Sequence, residues 1–338
     1  MRISLGLFVS ALLATFVISN PPAKAWGTFG HLTVCELAYR NFTPTTRAAI
    51  TELMQAQGGR IWVEGRGKLP DRWYSAFNVG CLEEDGMPRR HPEDHFINVA
   101  RNVPAIESAT CPRDGDCILS GIGRDLTILK DSSRSREERV FALMALGHWL
   151  GDIHQPLHIS FADDRGGNGI AAALKGKCGT ASVRPDKLHA VWDNCLLEAG
   201  LFERVRQRGD FKKGWSKNTI TYRAVDTLQA NTTLAEERAM VEGDPSAWAQ
   251  ESYQITLDPG VLYCVKVGES CNYSATQPML AKYTDPKREQ PISQAYLARY
   301  APIAQDRVTR AGYRLAHLIN SALDPAYTGP VRNRTQPL

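Results

Sequence analysis

The sequence predicts a mostly α-helical fold, all-α in class and built as one domain, and three stretches carry that expectation. Residues 137–153, EERVFALMALGHWLGDI, are apolar around nearly the whole helical circumference, which is the pattern of a helix at the centre of a core. Residues 187–201, KLHAVWDNCLLEAGL, space their apolar positions by three and four and end at a glycine, which predicts a second helix stopping there. Residues 293–323, SQAYLARYAPIAQDRVTRAGYRLAHLINSAL, predict one or two more helices, broken near Pro302. Strand-like alternation is rare elsewhere.

The chain of 338 residues starts with a different kind of segment. Arg2, the apolar run from Ile3 to Ile18, Pro21-Pro22 and the triplet Ala23-Lys24-Ala25 have the layout of a cleaved signal peptide, so residues 1–25 are expected to be removed and 26–338 to form the exported, mature domain. A membrane anchor fits less well, because the apolar run is short for a span and prolines follow it. Cleavage removes Arg2 and Lys24 and no acid, so the formal charge falls from +4 to +2. That near-neutral balance argues against broad affinity for polyanions but leaves room for a nucleic acid held by a local cluster of metal ions.

Between the first two predicted helices, residues 161–186, FADDRGGNGIAAALKGKCGTASVRPD, are rich in glycine and charge and predict a loop. The stretch from Leu257 to Pro286 predicts a second irregular region with a small hairpin. No repeat, low-complexity tract or linker divides the mature chain. Eight cysteines in an exported chain point to disulfides. Cys111 with Cys117, and Cys264 with Cys271, close short loops, whereas Cys35, Cys81, Cys178 and Cys195 admit three pairings. A thiolate zinc site is the competing reading, disfavoured because no C-x-x-C pair occurs.

The chemistry is concentrated in the histidines. Three of the eight fall within HWLGDIHQPLH, residues 148–158. His148 and Asp152 stand four apart on the apolar helix and so leave one face a turn apart. Burying both is costly unless something pairs them, and a metal ion does so directly. Pro156 ends the helix, freeing His158 from helical phase to turn toward the same cavity. His189 and Asp193 in HAVWD repeat the spacing of four. Two such pairs in a histidine-poor chain predict a polynuclear zinc site. His95 in EDHFINV and Asp71 in KLPDRW are further candidates, while His154 reads as a buried supporting residue and His317 as core or surface.

These words together resemble the single-strand-specific zinc nucleases of the mung bean type, a family that shares its fold with bacterial zinc phospholipase C. The resemblance rests on WGTFGH at residues 26–31, DHFINV, GHWLGDIHQPLH, DRGGN, LHAVWDN, WAQES and RAGYRLAHLIN, which occur in order along the mature chain. It implies an all-helical domain with three Zn2+ ions at the bottom of a cleft. Asp71, His95, His148 and Asp152 would hold one; the amine and carbonyl of Trp26, His31 and the shared Asp152 a second; His158, His189 and Asp193 the third. Asp71 and Asp152 would be the carboxylates at the catalytic centre.

The same resemblance implies hydrolysis of phosphodiester bonds in single-stranded DNA and RNA to 5'-phosphorylated products, with 3'-nucleotidase activity, by a monomer free of any membrane. Phe96 matches an aromatic that stacks on a base. Asn98 stands where aspartate is usual, and an amide both donates and accepts. Asn194 matches a position that contacts phosphate. Around Asp71 the chain departs from the family, with Leu69-Pro70 before it and Tyr74 in place of an arginine, so Asp85 or Asp94 are the fallback ligands. The rival readings are a zinc phospholipase C, which typically carries glutamate where this chain has Asp193, and a non-catalytic zinc-binding protein of the same fold.

Overall fold

The computed structural model describes residues 26–55, 61–63, 72–74, 77–86, 89–106, 111, 115–174, 176, 178, 185–281 and 288–331. The residues of the expected signal peptide, Asp71 and Leu69-Pro70 therefore lie outside the described residues. In chain order the helices are α1 (Thr28–Arg40), α2 (Pro44–Gln55), α3 (Phe77–Gly80), α4 (Ile118–Lys130), α5 (Arg136–Ile153), α6 (Leu188–Ala190), α7 (Glu203–Arg206), α8 (Lys217–Ala230), α9 (Leu234–Met240), α10 (Pro245–Thr256) and α11 (Gln294–Leu323). The strands are short and pair only in twos: β1 (Ile61–Val63) with β2 (Arg72–Tyr74), β3 (Ile97–Val99) with β4 (Ile159–Phe161), β5 (Ala171–Leu174) with β8 (Glu289–Ile292), and β6 (Val265–Val267) with β7 (Ser270–Asn272). The all-helical expectation holds.

Helix α5 is the axis of the molecule. Ser135 opens it with a capping box: its hydroxyl accepts from the Glu138 N–H at 3.2 Å, and the Glu138 carboxylate accepts from the Ser135 N–H at 2.9 Å. From Ala142 to Ile153 every residue is buried, as the all-round apolar pattern requires. Helices α1, α4 and α11 pack around it. The Cys35–Cys81 disulfide lies against its Gly147, where a Cβ would come within 2.2 Å of the Cys81 sulfur.

Two predicted boundaries move. The second helical run does not stop at Gly200; it continues over 188–206, passing through π-helical turns at Val191–Cys195 and Glu198–Phe202. Gly200 is there for packing, since a Cβ would meet the Ala301 Cβ at 3.0 Å. Pro302 likewise does not break α11, which runs unbroken over 30 residues. The proline sits on the exposed side, where a helix can lengthen its backbone bonds toward water.

The predicted glycine-rich loop contains β5, whose Ala171–Leu174 pairs in parallel with Glu289–Ile292 more than a hundred residues later. Its run of alanines carries no alternation to announce a strand. The small hairpin predicted after Leu257 is present as β6 and β7, joined at their base by the Cys264–Cys271 disulfide. The open pairing resolves as Cys35–Cys81 and Cys178–Cys195, beside Cys111–Cys117. All eight cysteines are thereby used, which removes the thiolate zinc reading.

Candidate metal centre

The C-terminal end of α5 delivers His148 and Asp152 to one side of the helix, both fully buried. The helix stops at Ile153, and Pro156 begins a short 3-10 turn, Pro156–His158, that points His158 back toward Asp152. The parallel pairing of β3 with β4 then sets His95 beside it: the Nδ1–H of His158 donates to the His95 carbonyl at 2.6 Å. Helix α1 contributes His31, whose ring rests on the α5 backbone at Gly151 and stacks on the His148 ring at 4.0 Å. Asp152 is the hub. Its carboxylate lies 3.2 Å from His31 Nε2, 2.9 Å from His95 Nδ1 and 3.5 Å from His148 Nε2.

The helical run that starts at Leu188 brings His189 and Asp193, with His189 Nε2 at 3.5 Å from Asp193 and 3.2 Å from His158 Nε2. A sharply turned loop aims this histidine. Arg165, Gly166 and Gly167 all have positive φ, of 57°, 64° and 80°, so the two glycines supply a backbone that side chains resist. The Gly166 carbonyl accepts from His189 Nδ1 at 2.5 Å. Buried Asp164 holds the loop by accepting from the Gly167 N–H at 2.9 Å, from the Arg101 guanidinium and from the Tyr263 hydroxyl. This is what the DRGGN word does.

Carbonyl oxygens only accept, so they assign tautomers. The Cys81 carbonyl at 2.8 Å from His148 Nδ1, like those of His95 and Gly166 on His158 and His189, puts the ring proton on Nδ1 and leaves Nε2 with its lone pair facing inward. Three groups result, each with its ligand atoms within 4.8 Å of one another: His95, His148 and Asp152; His158, His189 and Asp193; and His31, Asp85 and His148. His31 Nδ1 and Nε2, His95 Nε2, His148 Nε2 and Asp152 Oδ1 are buried with no hydrogen-bond partner. Buried polar atoms are seldom left so, and a cluster of them aimed at one another fits metal ions.

The electrostatics agree with that fit. Burial lowers the pKa of His31 and of His189 to about 4 and lowers those of His95, His148 and His158, so all five are neutral at physiological pH, as ligands need to be. Burial raises the carboxyls of Asp152 and Asp193, because too little positive charge from the protein reaches them.

The residues expected at the site divide as follows. His31, His95, His148, Asp152, His158, His189 and Asp193 come together. Trp26 is buried, and the next residue ties it to the third group, its Gly27 N–H donating to the Asp193 carbonyl at 2.8 Å. Phe96 follows His95 at the end of a 3-10 turn and Asn98 lies on β3, both half-buried, and Asn98 Oδ1 has no partner. Asn194 lies beside Gly27, where a Cβ would meet its Oδ1 at 2.0 Å. Asp94, a fallback ligand, is engaged elsewhere: Arg124 donates to it at 2.6 Å.

Three contributors escaped sequence reasoning, and Asp85 entered it only as a fallback ligand. Asp85 reaches the cluster from a 3-10 turn, 4.0 Å from His148 Nε2, while Arg89 four residues on pairs with it at 2.9 Å. Gln155 donates to Asp193 Oδ1 at 2.6 Å and accepts from the Leu157 N–H at 2.6 Å, which explains the glutamine in HQPLH. Arg101 holds Asp163 at 2.9 Å as well as Asp164. Glu251, in WAQES, binds Arg307 and Arg314 of α11, and Arg314 reaches His154 at 2.8 Å, so the last two motif words anchor the end of α5 and give His154 its supporting role.

An all-helical domain around a buried His/Asp cluster of this kind is that of a protein built to hold metal ions. The S1/P1 Nuclease family matches residues 26–324, and the chain belongs to that family. It is similar to Endonuclease 3 of Arabidopsis thaliana, 25% identical over 92% of this chain and 93% of that one. It is also similar to Nuclease S1 of Aspergillus oryzae, 23% identical over 86% and 89%, and to Nuclease P1 of Penicillium citrinum, 28% identical over 65% and 73%. The protein is a nuclease. Among the described residues no helix is long and apolar enough to cross a membrane.

Proposed function

We propose that this chain is an exported, zinc-dependent endonuclease that cuts single-stranded DNA and RNA to 5'-phosphorylated products and removes 3'-phosphates from nucleotides, acting as a monomer. The observation that carries the reading is the set of orphaned nitrogen and oxygen atoms converging from His31, His95, His148 and Asp152, beside the second group of His158, His189 and Asp193. Three Zn2+ ions would occupy it: one held by His95, His148 and Asp152, one by His31, Asp152 and the amine and carbonyl of Trp26, one by His158, His189 and Asp193. Zinc in such a site acidifies water at neutral pH and neutralises charge developing on phosphoryl oxygens.

The protein's own groups do the rest. Asp152 joins the first two sites, and Gln155 fixes the rotamer of Asp193. The role that the family resemblance gives to Asp71 falls to Asp85, supported by its place within one group with His31 and His148. Phe96 stacks on a splayed base, which favours single strands; Asn98 meets the base edge and Asn194 a phosphate oxygen. Cleavage after Ala25 frees the Trp26 amine to act as a ligand, supported by the family match beginning at that residue. An extended form keeping Ala25 should then bind less zinc and turn over slowly.

The test is turnover of heat-denatured DNA, native DNA and phosphatidylcholine by the purified mature protein, with zinc counted by elemental analysis and removed by EDTA. Preferred cleavage of denatured DNA with about three zinc ions per chain, abolished by EDTA and restored by zinc, is expected. Faster hydrolysis of phosphatidylcholine would make the protein a phospholipase C, and full zinc without any hydrolysis would make it a binding protein.

A further inference from the structure

The turn between α7 and α8 concentrates the charge of the whole chain. Residues 203–217 hold Arg204, Arg206, Arg208, Lys212, Lys213 and Lys217 against only Glu203 and Asp210, a net +4 that equals the formal charge of all 338 residues. Arg206 pairs with Glu203 at 3.4 Å and Arg208 with Asp210 at 2.9 Å. Arg204, Lys212, Lys213 and Lys217 are exposed and have no acid within ion-pairing distance among the described residues. Four unneutralised cations within one turn repel one another, so the surface is held at a cost that an anionic partner would relieve.

Aromatic rings are set among these cations. Phe211 and Trp215 meet edge to face at 5.4 Å, each half-buried, and the Arg223 guanidinium lies 5.7 Å from the Trp215 ring centre. Cations alternating with partly open aromatic faces suit a single strand, whose phosphates need charge and whose unpaired bases offer rings to stack. A bilayer surface would engage both cations and interfacial rings, so what favours a strand is the nuclease family of the chain.

The patch also lies at the far end of a helical run, 188–206, that begins at the metal centre with His189 and Asp193. The seventeen steps from His189 to Arg206 at roughly 1.5 Å each span about 25 Å, which is about seven nucleotides at the duplex spacing of ~3.4 Å and fewer in a stretched strand.

We infer that the α7–α8 turn is a second nucleic-acid-binding site, which grips the single-stranded substrate several nucleotides away from the metal centre. The inference rests on the nuclease reading for its substrate class. It makes long strands better substrates than short ones, because a dinucleotide at the metals cannot reach Lys212.

The experiment compares the whole mature protein with its Lys212→Gln/Lys213→Gln/Lys217→Gln variant and with Phe211→Leu. Cleavage of a 30-mer oligothymidylate is measured beside that of the dinucleotide TpT, and binding of a fluorescein-labelled phosphorothioate 30-mer is followed by anisotropy across salt concentrations. The triple variant should lose about tenfold or more in kcat/KM on the 30-mer at low salt while staying within about twofold on TpT. Its binding should show a salt slope smaller by about 2, at roughly 0.7 per lost phosphate contact. Phe211→Leu should weaken binding about fivefold, the scale of one lost stack. Equal affinity and equal slope in all three proteins would overturn the inference. So would binding of phosphatidylglycerol vesicles that the triple variant loses while oligonucleotide binding stays unchanged. If neither TpT nor the 30-mer is cut, the reading of the metal centre fails, and the anisotropy titration still decides the patch.

Discussion

Gly151 has no side chain because His31 occupies the space that one would fill: a Cβ there would lie 2.5 Å from the His31 Nδ1. Gly151→Ala should push that ring off the Asp152 carboxylate while leaving the apolar face of α5 intact. The expected result is loss of close to one zinc per chain and a fall in kcat of roughly 10–100-fold, with an unchanged far-ultraviolet spectrum. Asp85→Asn should likewise lower zinc content, and Asp71→Asn should leave it near wild type; the reverse outcome would return the ligand to Asp71. The contrast shows what was legible at this scale. His148 with Asp152 and His189 with Asp193 could be read because a charged pair four apart in an apolar helix demands a partner. Asp85 could be read only as a fallback beside Asp94, because it lies in an acidic run, Glu83-Glu84-Asp85, in which nothing local distinguishes the carboxylate that turns inward.

At the scale of elements, the centre of each helix was legible and its end was not. The ends of the 188–206 run and of α11 depend on what packs against Gly200 and on which side Pro302 faces, both properties of neighbours distant in sequence. Pro302 gives a direct check. It forfeits one backbone hydrogen bond in the interior of a 30-residue helix while exposed to water, so Pro302→Ala should stabilise the protein by about 1–3 kcal/mol, visible as a higher Tm. The opposite effect is expected where α10 meets α11. Glu251 is half-buried; burial alone would raise its carboxyl, but hydrogen bonds from Arg314 and Arg307 bring it down to about 2. Glu251→Gln would leave two buried guanidiniums without their counter-charge. Discounting for the carboxylate's partial exposure, that should cost roughly 2–4 kcal/mol in a denaturant titration, and it should loosen the carbonyl of His154 that Arg307 holds at the end of α5.

At the scale of the whole molecule, the disulfides and the metal centre share α5: Cys35–Cys81 packs on Gly147 one residue before His148, and the Cys81 carbonyl orients that histidine. The core is thus built around groups that water would otherwise solvate, and stripping metal should be felt as loss of stability as well as of activity. The pH dependence of the stripped protein follows from the signs of the shifts. Five imidazoles have folded-state pKa values below 6.5, with His31 and His189 at about 4. Between pH 6.5 and 4 the unfolded chain takes up protons that the folded chain refuses, so each histidine lowers stability as the pH falls. Asp152 and Asp193, raised by burial, act in the other direction: folded, they hold protons more tightly than unfolded, and they favour the fold as the pH drops through their raised values. Five histidines, all titrating at about 6.5 when unfolded, are expected to outweigh the two carboxylates. EDTA-treated protein should therefore show a lower Tm than zinc-loaded protein at pH 7.5 and lose further stability on acidification to pH 5. Zinc-loaded protein should follow it downward over the same range, because protons compete with metal for the same ligands and release it. A stripped protein whose Tm held constant or rose from pH 7.5 to pH 5 would mean that the two carboxylates, not the five imidazoles, set the charge balance of the core.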